Sequence, residues 1–152
     1  MRISVLTPTY NRGKLLNRLY YSLVKNLKFG IEIEWLIMDD GSTDETENIV
    51  KEFKEASNLE IKYYKQNNQG KMTAINNLVE HVTGQYMIDC DSDDYFADNA
   101  FKFMKERIEK TQDEKGIMKT SEEEIRDRIF RILRQVYNSP MKMREANTKS
   151  RN

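Results

Sequence analysis

From the first residue to Gly116 the apolar side chains switch repeatedly between two periods. Ile3–Leu6 is a short apolar run broken by one serine and closed by Thr7-Pro8, which predicts a buried strand. Pairs at Leu15/Leu16, Leu19/Tyr20 and Leu23/Val24, then Leu27, recur at helical spacing, and Gly30 ends that helix. Ile33–Met38 predicts a second strand. Ser42 and Glu45 have capping-box spacing ahead of a helix whose inner face is Ile49, Val50 and Phe53. Leu59, Ile61 and Tyr63 alternate with polar neighbours, which predicts a strand over Leu59–Lys65. Ile75, Leu78, Val79 and Val82 mark a third helix, stopped by Gly84; Tyr86–Cys90 is a fourth strand. Ala100, Phe101, Met104 and Ile108 line a fourth helix. This β-α alternation predicts an α/β fold with helical crossovers. Such sheets bind ligands beyond the carboxyl ends of their strands.

Past Gly116 the pattern changes. Ser121 and Glu124 can cap a helix striped by Ile125, Ile129, Ile132, Leu133 and Val136, and Ser139-Pro140 stops it. The expected organisation is therefore one domain over residues 1–116, an amphipathic helix over 117–139 and a mobile tail over 140–152. Arg128, Arg131 and Arg134 on that helix suit either an ordinary solvated face or contact with an anionic membrane.

Composition narrows the class. The chain has 152 residues, 38% hydrophobic and 33% charged, with two prolines and six glycines, which excludes collagenous and wholly disordered chains. The 25 basic and 25 acidic side chains cancel, so no overall field points to nucleic acid. That neutrality conceals a net of +4 in residues 117–152 against −4 before them. A single cysteine, Cys90, forms no internal disulfide and fits a reducing compartment. No apolar run approaches the ~20 residues needed to span a bilayer. The N-terminus begins with strand-like sequence and lacks the apolar core of a signal peptide. The expectation is a cytoplasmic protein, with at most peripheral contact at the inner membrane face.

Three strand ends carry the candidate chemistry. They are Thr7-Pro8-Thr9-Tyr10-Asn11-Arg12, then Asp39-Asp40-Gly41-Ser42-Thr43-Asp44, then Asp89-Cys90-Asp91-Ser92-Asp93-Asp94. Asp and Ser favour helix N-termini, so each acidic turn alone fits a simple cap. Two acidic turns on one sheet edge, beside an aromatic, fit a ligand site better. Clustered carboxylates repel unless a cation or donor compensates. The Asp89-x-Asp91-x-Asp93 run is no calcium loop, because Asp94 and Ala100 stand where glycine and glutamate are required. Gln69-Gly70-Lys71 is no Walker A loop, since Lys65 replaces its first glycine and Met72 its Ser/Thr. His81 has no second histidine or cysteine at ligand spacing, and Cys90 has no adjacent base.

Taken in order, TPTYNR, DDGSTDET, the Gln-Gly-Lys turn and DSDDYF resemble family 2 glycosyltransferases of the GT-A fold. The likeness runs from about Ile3 to Ile108. It implies a Rossmann-like, mostly parallel sheet flanked by helices, followed here by a C-terminal helix. It implies a nucleotide-binding set of Pro8, Tyr10, Asp39, Asp40, Gly70 and Lys71. In that set Pro8 and Tyr10 border a uracil ring, Asp40 accepts the base N–H with Asp39 in support, and Lys71 meets phosphate. The family's Asp-x-Asp motif falls on Asp91 and Asp93, with Asp89 an additional carboxylate one turn earlier. These would hold Mn²⁺ or Mg²⁺, hard cations that take oxygen ligands and offset charge on a departing diphosphate.

The implied activity is inverting transfer of a sugar from a nucleotide donor, a UDP-sugar by the base contacts, to a hydroxyl of a glycan or lipid-linked acceptor. Such transfer needs a carboxylate general base. The family carries that base after the metal motif, where this sequence turns to MKTSEEEIRDRIF, so no catalytic residue is assigned and slow transfer by the chain alone is expected. Glu122, Glu123 and Glu124 read as helix N-terminal charges. A nucleotide-binding or interaction module of the same fold, without catalysis, stays open beside the enzyme. A second subunit is a further candidate partner, through the helix over 117–139. A phosphoacceptor domain fits less well, because its paired aspartates would follow the first strand, where this chain has Thr-Pro-Thr-Tyr.

Overall fold

The computed structural model describes residues 1–115, and the expected helix over 117–139 and tail over 140–152 lie outside them. Eight principal elements alternate: β1 (Arg2–Thr9), α1 (Leu16–Asn26), β2 (Glu32–Asp39), α2 (Thr46–Ala56), β3 (Glu60–Lys65), α3 (Lys71–Val79), β4 (Tyr86–Asp89) and α4 (Ala100–Lys115). The four strands form one all-parallel sheet in the order β3-β2-β1-β4. Helices on both faces bury it, as a parallel sheet requires. One face carries the larger core, in which Ile3, Val5, Trp35 and Ile37 meet Leu19, Leu23, Phe53 and Phe101. The other packs Leu6, Leu36 and Met38 under Ala74 and Leu78 of α3. No helix among the described residues is long and apolar enough to cross a membrane.

β1 runs past the expected stop and takes in Pro8. β4 pairs with β1 only from Ile3 to Leu6, so beyond that point one side of β1 is open and a missing N–H is tolerated. The apolar stripe of α1 is buried from Leu16, whereas Leu15 sits in a short 3-10 turn and is exposed. Gly30 closes that region in a left-handed conformation. α3 ends at Val79, five residues ahead of Gly84, and Ala74 rather than Ile75 lies in the core.

The expected capping box of α2 does not form. Ser42 Oγ accepts the Asn11 N–H at 2.8 Å, so this side chain ties two strand ends together. The N-cap position is Glu45, which makes no side-chain cap bond; Asp44, one residue earlier, accepts Thr46 N–H at 3.0 Å and the Thr46 hydroxyl at 2.5 Å.

A buried charge fastens the strand entries. Glu34 of β2 is fully buried. It accepts from Arg2 and Lys62 at 3.0 Å each, from Thr83 N–H at 2.8 Å, from Gly84 N–H at 3.1 Å and from the Ser4 hydroxyl. One carboxylate thus links β1, β2, β3 and the loop into β4. Burial disfavours its charge, but these donors outweigh burial and hold it well below the usual carboxylate range. A lone Glu within an apolar run, with Arg2 and Lys62 near the starts of two other strands, was its only trace in the sequence.

Candidate functional site

The carboxyl ends of β1, β2 and β4, with the turn into α3, enclose a cleft of about 360 Å³. Its walls are Pro8, Thr9, Tyr10, Arg12, Asp40, Lys71, Asp91, Ser92 and Asp93. Six of the eight residues expected from sequence therefore share one cavity. Asp39 and Gly70 do not line it: Asp39 is buried, and Gly70 is exposed in the turn just before Lys71.

The turns are locked to one another by local chemistry. Asn11 adopts φ +51°, a left-handed conformation that Asn tolerates better than most residues. Its amide oxygen accepts Thr43 N–H at 2.8 Å, which joins the first strand end to the second. Behind them, buried Asp39 accepts Ser42 N–H at 2.6 Å and the Tyr63 hydroxyl. Burial, and then this bond to Asp39, push the Tyr63 phenol far above its ordinary range. Asp39 is thus a brace for the turn.

Asp40 has a different setting. Its Oδ1 accepts from Gln66 Nε2 and Gln69 N–H, and its Oδ2 from Gly70 N–H, all at 2.8 Å. Asn77 in turn donates to Gln66 at 2.8 Å and orients that amide. Burial works against the Asp40 charge, but the donors of Gln69, Gln66 and Gly70 prevail and hold its carboxyl below the usual range. A carboxylate offers about four acceptor positions. Three are filled, which leaves one for a ligand donor in the cleft that Asp40 lines.

Gly70 has φ +89° and ψ 160°, a conformation open essentially to glycine alone. It delivers Lys71 to the cleft, where Lys71 Nζ meets Asp91 Oδ1 at 2.5 Å. Opposite, Arg12 Nη1 lies 3.5 Å from Asp93 Oδ2. Asp91, Asp93 and Asp94 bring carboxylate oxygens within 4.8 Å of one another. Asp94 joins the two predicted carboxylates because its N–H closes a turn on Asp91 O at 3.0 Å. Asp89 is an exposed residue of β4 outside this group. Three clustered oxygen donors suit a hard divalent cation such as Mg²⁺ or Mn²⁺.

α1 carries the segment after this turn. Ser22 Oγ accepts Phe96 N–H at 3.1 Å, and buried Asn26 bonds to Ala97 O at 3.0 Å and Phe101 N–H at 3.1 Å. Arg18 packs over the Tyr95 ring at 4.3 Å. Thr9, Arg12 and Ser92 also line the cleft without being among the expected residues; Arg12 ends the TPTYNR motif, and its basic side chain was the available signal.

Residues 4–150 match the family described as Glycosyl transferase family 2. The MG060 homolog of Mycoplasma pneumoniae, an uncharacterized glycosyltransferase, is 35% identical over 112 residues, covering 72% of this chain and 38% of that protein. The crystal structure of S. aureus TarS in complex with UDP-GlcNAc is similar with TM-score 0.63 and 32% identity, covering 72% of this chain and 32% of that one. A mannosyltransferase from Pyrobaculum calidifontis in complex with GDP-Man and Mn²⁺ has TM-score 0.59 and 25% identity, over 66% of this chain and 30% of that one. The chain spans under two-fifths of the length of each.

Proposed function

The chain belongs to glycosyltransferase family 2 and has its GT-A fold, and from that premise we propose that residues 1–116 form the donor-binding part of a sugar transferase using a uridine diphosphate sugar. The observation that carries this reading is the single cleft walled by Pro8, Tyr10, Asp40, Lys71, Asp91 and Asp93. Tyr10, half exposed at the rim, offers an aromatic face to a base. Asp40, with one acceptor position left, takes the uracil N–H. Lys71 balances charge on the diphosphate. Asp91 and Asp93, with Asp94 beside them, hold Mn²⁺ or Mg²⁺ through oxygen atoms. Such a cation offsets the negative charge that grows on the diphosphate as its bond to the sugar breaks. The acceptor on this reading is a hydroxyl of a glycan or lipid-linked saccharide, transfer is inverting, and the reaction takes place in the cytoplasm or at the inner membrane face. The complex of TarS with UDP-GlcNAc supports the choice of donor class.

Isothermal titration of the 152-residue chain with uridine diphosphate tests this. Binding should be tighter with Mn²⁺ than with a chelator, and Asp93→Asn should abolish the difference. Equal binding under both conditions removes the cation from the site.

A further inference from the structure

Two cations already sit on the carboxylates assigned to the metal. Lys71 pairs with Asp91 at 2.5 Å and Arg12 with Asp93 at 3.5 Å, and all four residues line the cleft. The two bases reach it from separate segments, the turn after β1 and the start of α3. Both pairs are solvent-accessible: Arg12 and Asp93 are 51% and 54% exposed, Lys71 and Asp91 53% and 36%. Pairs of that kind are weak and easily broken. A divalent cation and a diphosphate present the matching set of opposite charges.

We propose that Arg12 and Lys71 are exchange counterions. They neutralise Asp93 and Asp91 in the free protein and pass to the diphosphate when those carboxylates turn to a divalent cation. This rests on the donor-site reading above. Its consequence is mutual dependence. A cation arriving alone must displace two bases that then have no anion, and a diphosphate arriving alone must draw those bases from their carboxylates. Arriving together, each supplies what the other displaces. Linkage then requires each ligand to raise the affinity of the other by the same factor.

Electron paramagnetic resonance of free Mn²⁺, titrated with the full chain, reads this without any turnover. Wild type should bind Mn²⁺ weakly alone and more tightly with uridine diphosphate. Arg12→Gln should bind Mn²⁺ alone about 1.4- to 5-fold more tightly, the range for release of one exposed ion pair. Its enhancement by uridine diphosphate should shrink by at least that factor. Lys71→Gln should act in the same direction, and Arg12→Lys should keep the wild-type coupling. Lys14→Gln removes an equal charge from an exposed side chain outside the cleft wall and should change neither quantity. The proposal is overturned if Arg12→Gln leaves the coupling intact, or if Lys14→Gln reproduces its effect. Failure of the parent reading looks different: Asp93→Asn would then leave Mn²⁺ binding untouched with uridine diphosphate present, and the proposal falls with it.

Discussion

Asp40 braces a turn and lines the cleft with one carboxylate, so on the proposed reading its replacement has two separable effects. Asp40→Ala should weaken uridine diphosphate binding by roughly 1.5–3 kcal/mol, the range for a hydrogen bond to a charged group. It should also narrow the preference over cytidine diphosphate, whose ring nitrogen carries no proton there; paired calorimetric titrations measure both. Loss of folding stability should be smaller, because Gln69 and Gly70 are exposed and water can take their N–H groups. Glu34 is the opposite case, buried and remote from the cleft. Its folded pKa lies below the ordinary 4.5, so its contribution is fully present above that value and is lost as pH falls below it. Glu34→Ala should cost about 3 kcal/mol at neutral pH, the lower end for breaking a buried pair, since Arg2 and Lys62 can still reach water. The variant should also show a flatter decline of stability below pH 4.5 in acid-dependent urea unfolding. Sequence alone could locate Asp40, because a resemblance reads motifs. The resemblance gives Asp40 the base contact and Asp39 a supporting role, but their partners required coordinates: Tyr63 and Ser42 N–H for Asp39, and Gln66, Gln69 and Gly70 for Asp40.

At the scale of elements, periodicity was the dependable guide. The inner face of α4, from Ala100 through Phe101 and Met104 to Ile108, is buried as its spacing predicts. Ends were less legible, because they depend on contacts between segments distant in sequence. Ser42 has the spacing of a cap for α2, yet its hydroxyl accepts from Asn11, thirty-one residues earlier, and Asp44 holds the first helical N–H, that of Thr46. Gly84 was legible as a stop but not as a close contact. A Cβ there would lie 2.5 Å from Ser4 Oγ and 2.8 Å from Ser4 N, inside β1 and beside the Glu34 cluster. Gly84→Ala should therefore destabilise the fold by about 1–3 kcal/mol, as overpacking does. Thermal denaturation should show the loss, and Mn²⁺-dependent nucleotide binding should survive below the new melting point.

The whole molecule keeps its cleft within residues 8–93, although the chain spans under two-fifths of its relatives. The 152-residue chain should on that account bind uridine diphosphate with Mn²⁺ unaided, and titration of the isolated protein tests it. A parallel sheet of four strands was legible from the β-α alternation, while the order β3-β2-β1-β4 required coordinates. The sheet has another polarity besides that of its strands. At their entries buried Glu34 ties its own strand, β2, to β1, β3 and the loop into β4. At their exits the contacts across the cleft are exposed ion pairs. Local opening should accordingly be rare at one end of the sheet and frequent at the other. Deuterium uptake should be slow at Ser4, Trp35 and Gly84 and fast at Arg12 and Asp93. Nucleotide with Mn²⁺ should then slow uptake at the exits while leaving the entries as they were.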